Sequence, residues 1–138
     1  MPRGARSFSP DRVSQVLAVV CISFPVLFLS CEENINPPVL EDQEFTIREN
    51  APRGTIIGII EATDPEPQQE LTFRILSGND DGAIALEPGT GSLTVEKPGD
   101  FDHEIRPQFQ LSLQVRDVHL DSKADTATIT ILVADLPE

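Results

Sequence analysis

Residues 108–115 read QFQLSLQV, with Phe109, Leu111, Leu113 and Val115 at one parity and Gln108, Gln110, Ser112 and Gln114 at the other. Successive side chains of a strand point to opposite faces, so a period of two predicts a strand with one buried and one wetted side. TATITILV, residues 126–133, repeats the pattern with Ala127, Ile129, Ile131 and Val133 inward, and its β-branched residues suit a pleated surface. Shorter runs carry the same alternation at Phe45 and Ile47, at Leu71, Phe73 and Ile75, at Ile84 and Leu86, and at Leu93 and Val95. Turn-forming residues separate them. PGTG (88–91) predicts a hairpin between two short strands, and SGNDDG (77–82) predicts a loop.

One segment breaks the rhythm. In TIIGIIEAT (55–63), Ile60 and Ala62 share a parity but Ile57 lies three residues before Ile60, which a bulge at Gly58 or Ile59 reconciles. No stretch after residue 31 has the 3.6-residue period of a useful helix. About seven strands in roughly 100 residues, with turns at short intervals, predict an all-β, seven-stranded antiparallel Greek-key sandwich of immunoglobulin-like type. Its expected core includes Phe45, Ile47, Ile60, Phe73, Leu93, Phe109, Leu111, Leu113, Ile129 and Ile131.

The first thirty residues follow different rules. Arg3, Arg6 and Arg12 precede the apolar run LAVVCISFPVLFL (17–29), which has the length of an export signal's hydrophobic region and is broken by Pro25. A bilayer-spanning helix needs roughly 20 apolar residues, so cleavage is favoured over anchoring by this segment. FLSC followed by EEN resembles the lipobox of bacterial lipoproteins, with Phe28 and Leu29 where such boxes usually carry Leu and a small residue. The resemblance implies lipidation at Cys31. Because Cys21 leaves with the signal, a lipid also removes what would be a lone thiol in an oxidising compartment. The organisation expected is therefore a signal peptide at 1–30, an acidic tether at 31–37 and one domain at 38–138, membrane-anchored outside the cytoplasm.

Charge narrows the function. The chain carries 23 acidic and 10 basic residues, a net charge of −13, and loss of Asp11, Arg3, Arg6 and Arg12 with the signal leaves 22 against 7, or −15. Nucleic-acid binding needs a concentrated Lys and Arg surface, which is missing. With no Trp or Tyr, base-stacking and sugar-binding faces are poorly supplied as well. So negative a small domain repels itself unless cations occupy its acidic clusters. FDHE (101–104) is such a cluster: on extended backbone Asp102 and Glu104 would point to one side and grip an ion, with His103 facing away. A catalytic carboxylate pair would need a cleft and contrasting environments, for which the sequence offers nothing, and no nucleophile elbow supports a triad. His103 and His119, both in acidic loop-like surroundings, read as solvated.

FTIRENAPRGTIIGIIEATDPE, LTFRILSGNDDGAIALEPGTGSLTV, FDHE and FQLSLQVRD follow one another at the spacing of a cadherin repeat, and the chain resembles that family from about Pro38 to Asp135. The resemblance implies a calcium-binding sandwich with ions at the ends of repeats. Glu49 matches the family's first-strand glutamate, Asp102 and Glu104 match the acids of its Asp-Arg-Glu motif with His103 for Arg, and Asp135 and Glu138 fall in the linker that follows, where Pro137 replaces an Asn. At the other end Asp64 and Glu66 match an Asp-x-Asp motif, Asp117 a further ligand, and Asn34 and Asn36 the end of a preceding linker, with Ile35 where an acid is usual. Each end supplies part of a calcium shell. The expected function is calcium-dependent adhesion or protein association, homophilic or otherwise, through the domain ends, with no nucleic-acid partner and no catalysis. The alternative is a passive envelope spacer, or a domain that holds another surface component, stiffened by calcium.

Overall fold

A computed structural model describes residues 36–66, 69–119 and 122–137. The segment expected to be an export signal (1–30), Cys31, Asn34 and Glu138 lie outside the described residues. Seven strands form in the order β1 (Gln43–Arg48), β2 (Ile56–Ile59), β3 (Leu71–Ser77), β4 (Ile84–Glu87), β5 (Ser92–Val95), β6 (Gln108–Asp117) and β7 (Ala124–Ala134), with one 3-10 turn at Pro98–Asp100. They build two sheets, β1-β7-β6-β3 and β2-β5-β4, whose inner faces enclose the core. All pairings are antiparallel except one. β1 runs parallel to β7, with Phe45 beside Ile131 and Ile47 beside Val133, so the sandwich is not antiparallel throughout. Because β1 turns over to β2 in the other sheet instead of pairing with it, a parallel partner becomes possible.

The alternating segments behave as their patterns dictate. Leu111, Leu113, Val115, Ile129, Ile131 and Val133 are buried, and the residues between them on β6 and β7 face out or are half-covered. Of the ten expected core residues nine are buried, the exception being Phe45, which packs against the core half-exposed. Its ring lies over Gly58, where an added Cβ would sit 2.3 Å from Phe45 Cδ1, so glycine is required there by close approach. The same position carries the irregularity in the β2–β5 ladder between Ile56 and Gly58. The bulge turns Ile57 and Ile60 inward while Ile56 and Ile59 are left largely exposed. The PGTG hairpin closes β4 onto β5, Gly91 adopting φ +72° as its N–H donates to Glu87 O.

Strand direction places the acids. β6 leads from the end near residue 107 to Asp117, and β7 returns antiparallel from Ala124 to Ala134. With about 3.3 Å of rise per residue, the two ends of β6 lie roughly 30 Å apart. FDHE, the end of β1 and the residues after β7 therefore gather at one end of the sandwich, and Asp117 marks the opposite end.

Candidate metal centre

At the first end Glu49, Asn50, Asp102, Glu104, Asp135, Leu136 and Pro137 line one open polar depression of about 360 Å³. Four of the five acids expected here converge, from three separate stretches of chain. Glu49 follows β1 directly and its N–H donates to Ala134 O, which ties it to the end of β7. Asn50 takes a left-handed conformation, φ 56°, that asparagine tolerates, and its N–H donates to Phe101 O at 2.9 Å. The chain thus reverses beside the FDHE turn. Glu49 accepts through both oxygens, from Leu136 N–H at 3.0 Å and from His103 N–H at 3.2 Å. These donors, the one from Leu136 first, hold its carboxyl below the usual carboxylate range and keep it anionic.

FDHE is not extended. Asp102 O accepts from Arg106 N–H at 2.7 Å, and Asp102 Oδ1 accepts from the N–H groups of Glu104 and Ile105 at 3.0 and 3.3 Å. The aspartate caps its own turn, as short polar side chains do where backbone donors would otherwise be unmet. Asp102 and Glu104 still reach the same depression, by the turn's curvature and not by strand parity. His103 is also not a solvated side chain: it is half-buried, and its ring Nδ1 lies 2.5 Å from Val133 O. The residues of the turn hide this from a parity argument, because i and i+2 share a side only on extended backbone.

The other end is organised by an isolated bridge between Val39 and Thr63. It brings Asn36 over Glu66, whose Oε1 accepts from Asn36 Nδ2 at 2.7 Å and from Asn36 N–H at 3.2 Å. Glu66 N–H in turn donates to Asp64 Oδ1 at 2.8 Å. Asp117 is 1% exposed and accepts from Lys123 N–H through both oxygens, at 3.0 and 3.1 Å, so it braces the loop between β6 and β7. Of the five residues expected here, Asn36, Asp64 and Glu66 make direct contacts, Asp117 acts electrostatically on Asp64, and Asn34 lies outside the described residues. His119, also near this end, is exposed.

Asp64 shows what this end lacks. Its Oδ2 is buried and has no hydrogen-bond partner among the described residues. Burial raises its pKa above the ordinary 3.8, and the negative charges of Glu66 and Asp117 push the same way. Between the unfolded value and the higher folded one the native state holds more protons, so stability falls as pH rises through that window. Asp64→Asn removes this term and is expected to raise the melting temperature of calcium-free protein at neutral pH and to flatten its slope just above pH 4. A lower melting temperature at neutral pH would mean that the hydrogen bond from Glu66 N–H outweighs the burial of charge.

Both ends suit a hard cation. Their donors are carboxylate and amide oxygens, and a buried oxygen without a partner at one end is the kind of group an ion satisfies. Neither end is a closed cage: among the described residues no three His, Cys, Asp or Glu side chains converge tightly enough to hold an ion alone. Calcium takes 6 to 8 oxygens, so water, backbone carbonyls or a neighbouring domain must complete either shell.

Residues 43–134 match the family model described as Cadherin domain. Human Protocadherin Fat 1 is 31% identical over 107 residues, 75% of this chain and 2% of its own length. Protocadherin Fat 2 of Rattus norvegicus is 31% identical over 141 residues, covering 95% of this chain and 3% of its own. The chain therefore spans a few hundredths of the length of these relatives. Among solved structures, the Protocadherin GammaB4 extracellular domain superposes with a TM-score of 0.66 at 26% identity, covering 74% of this chain and 17% of that one. Mouse clustered PcdhgC3 EC1-3 gives 0.64 at 26% identity over 74% of this chain and 34% of that one. With the family model spanning most of the folded residues, this chain belongs to the cadherin domain family.

Proposed function

We propose that the chain is a calcium-binding cadherin module that works outside the cytoplasm and associates with other proteins, or with itself, through its two acidic ends. The observation that supports this best is the meeting of Glu49, Asp102, Glu104 and Asp135, drawn from three stretches of sequence, around one depression. Carboxylates so gathered repel one another, and a divalent ion relieves the repulsion. Glu138 would extend this set. The second half-site comprises Asp64, Glu66 and Asn36, with Asn34 and Asp117 as further members. When bound, calcium supplies fixed positive charge that ties the segment leaving β7 to the domain; the residues themselves orient it, Glu49 by holding Leu136 and Asp102 by capping the turn.

In the same reading, residues 1–30 are an export signal, Cys31 carries lipid, 31–37 form the tether, and 38–138 form the module. Adhesion and association depend on ends stiffened by ions, whereas a passive spacer does not. The test is therefore association, with itself or with proteins of its own cell envelope, measured in calcium and in chelator, alongside the mass of the mature N-terminus. Association lost on chelation and a lipid-bearing Cys31 are the expected results. Association that ignores calcium would favour the spacer.

A further inference from the structure

The turn carrying Asp102 and Glu104 is joined to the end of β7 by the residue between them. His103 Nδ1 approaches Val133 O at 2.5 Å. Because a carbonyl oxygen only accepts, the ring carries a proton on Nδ1 and donates it. The N–H of the same residue donates to Glu49 Oε2 at 3.2 Å. One residue thus contacts the end of β7 through its side chain and the residue after β1 through its backbone, at the point where three acidic segments meet.

We infer that His103 is a positioning residue, whose ring pins the 102–106 turn to β7 two residues before Asp135 and so fixes the spacing between the carboxylates of the turn and those flanking it. The like charges of Glu49, Asp102, Glu104 and Asp135 drive these segments apart in the calcium-free protein. A hydrogen bond from ring to backbone opposes that drift. Calcium requires its oxygens at 2.3 to 2.6 Å, so ligands already gathered bind it more tightly than ligands that must be collected. Glu49 shares the effect: its other oxygen holds Leu136 N–H, so the pin also orders the segment leaving the domain. The part of this inference that concerns affinity rests on the calcium reading above; the part that concerns order does not.

Two variants separate the hydrogen bond from bulk. His103→Asn keeps a donor, because Asn Nδ2 occupies nearly the place of His Nδ1, and His103→Leu keeps size and loses the donor. Amide exchange at Leu136 in chelator reports the pin, and calcium titration followed by melting reports the affinity. Loss of one hydrogen bond corresponds to a change of about 3- to 10-fold, so His103→Leu is expected to speed exchange at Leu136 and to weaken calcium by factors in that range. His103→Asn is expected to stay close to the wild type in both. If the two variants match the wild type in exchange, or if both depart equally, the pin is overturned, whatever calcium does. If exchange responds as expected while no protein binds calcium, the pin stands and the calcium reading fails.

Discussion

Replacing Phe101 with alanine is expected to destabilise the domain by about 3–5 kcal/mol, the range for truncating a fully buried aromatic side chain. Phe101 is 0% exposed, and its ring packs on Phe109 at a centroid distance of 4.7 Å with a tilt of 35°. Phe109 anchors the start of β6 in the core, with the guanidinium carbon of Arg106 4.4 Å from the centroid of its ring. The cavity left by Phe101→Ala therefore opens beneath the acidic depression, between the 102–106 turn and the first residues of β6. Phe101 O also accepts from Asn50 N–H, so a shift of this backbone moves the reversal that presents Glu49. Urea unfolding measures the loss, and the calcium response is expected to weaken with it. Phe101→Leu preserves most of the volume and should cost under about 1.5 kcal/mol. A loss below about 1 kcal/mol for the alanine variant would mean that the end of the core closes over the gap, and that the depression does not depend on it.

Phe101 also marks where the sequence stops being legible. The strands with sustained alternation, β6 and β7, declare their buried faces because one parity must meet the core and the other must meet water. Gly58 is legible for a related reason: only an inserted residue lets Ile57 and Ile60 face inward together, and the ladder shifts there. Phe101 has no such context. It is a single aromatic residue between Asp100 and Asp102, and no period distinguishes it from an exposed loop residue. Its burial is decided by the 3-10 turn at Pro98–Asp100, whose backbone bond from Phe101 N–H to Pro98 O folds the ring inward.

The candidate site was legible as a set of residues and not as a geometry. Glu49, Asp102, Glu104 and Asp135 could be grouped by resemblance, and β-sheet topology does bring them to one end. How they are presented depends on local bonds that spacing does not encode: the capped turn at Asp102, the left-handed Asn50, and the ring of His103 on Val133 O. Asp117 shows the converse case. A position that resemblance marks as a ligand is almost wholly buried here and accepts the backbone N–H of Lys123 through both oxygens, while its charge raises the pKa of Asp64.

Calcium is expected to stabilise the wild-type domain, and the double variant Asp102→Asn, Glu104→Gln is expected to lose most of that increment. Open, partly supplied sites in extracellular modules bind with dissociation constants on the order of 10⁻⁴ to 10⁻³ M. At tenfold excess over that constant, mass action adds roughly 1–2 kcal/mol. For a domain of about 100 residues this is a rise in melting temperature on the order of 5–10 °C. Magnesium should do less, because it demands octahedral geometry and gives up its water reluctantly. The two substitutions keep side-chain size and remove two of the four charges around the depression. Asn at position 102 retains an Oδ1 that can accept from the N–H groups of residues 104 and 105, so the turn that Asp102 caps should survive. With less repulsion at that end, the calcium-free variant should be as stable as the wild type or slightly more so. The opposite end, with Asp64 and Glu66, is unchanged in this variant and provides an internal comparison. If the double variant kept the full calcium increment, the ion responsible would bind at that opposite end, and the FDHE turn would be a solvated acidic loop.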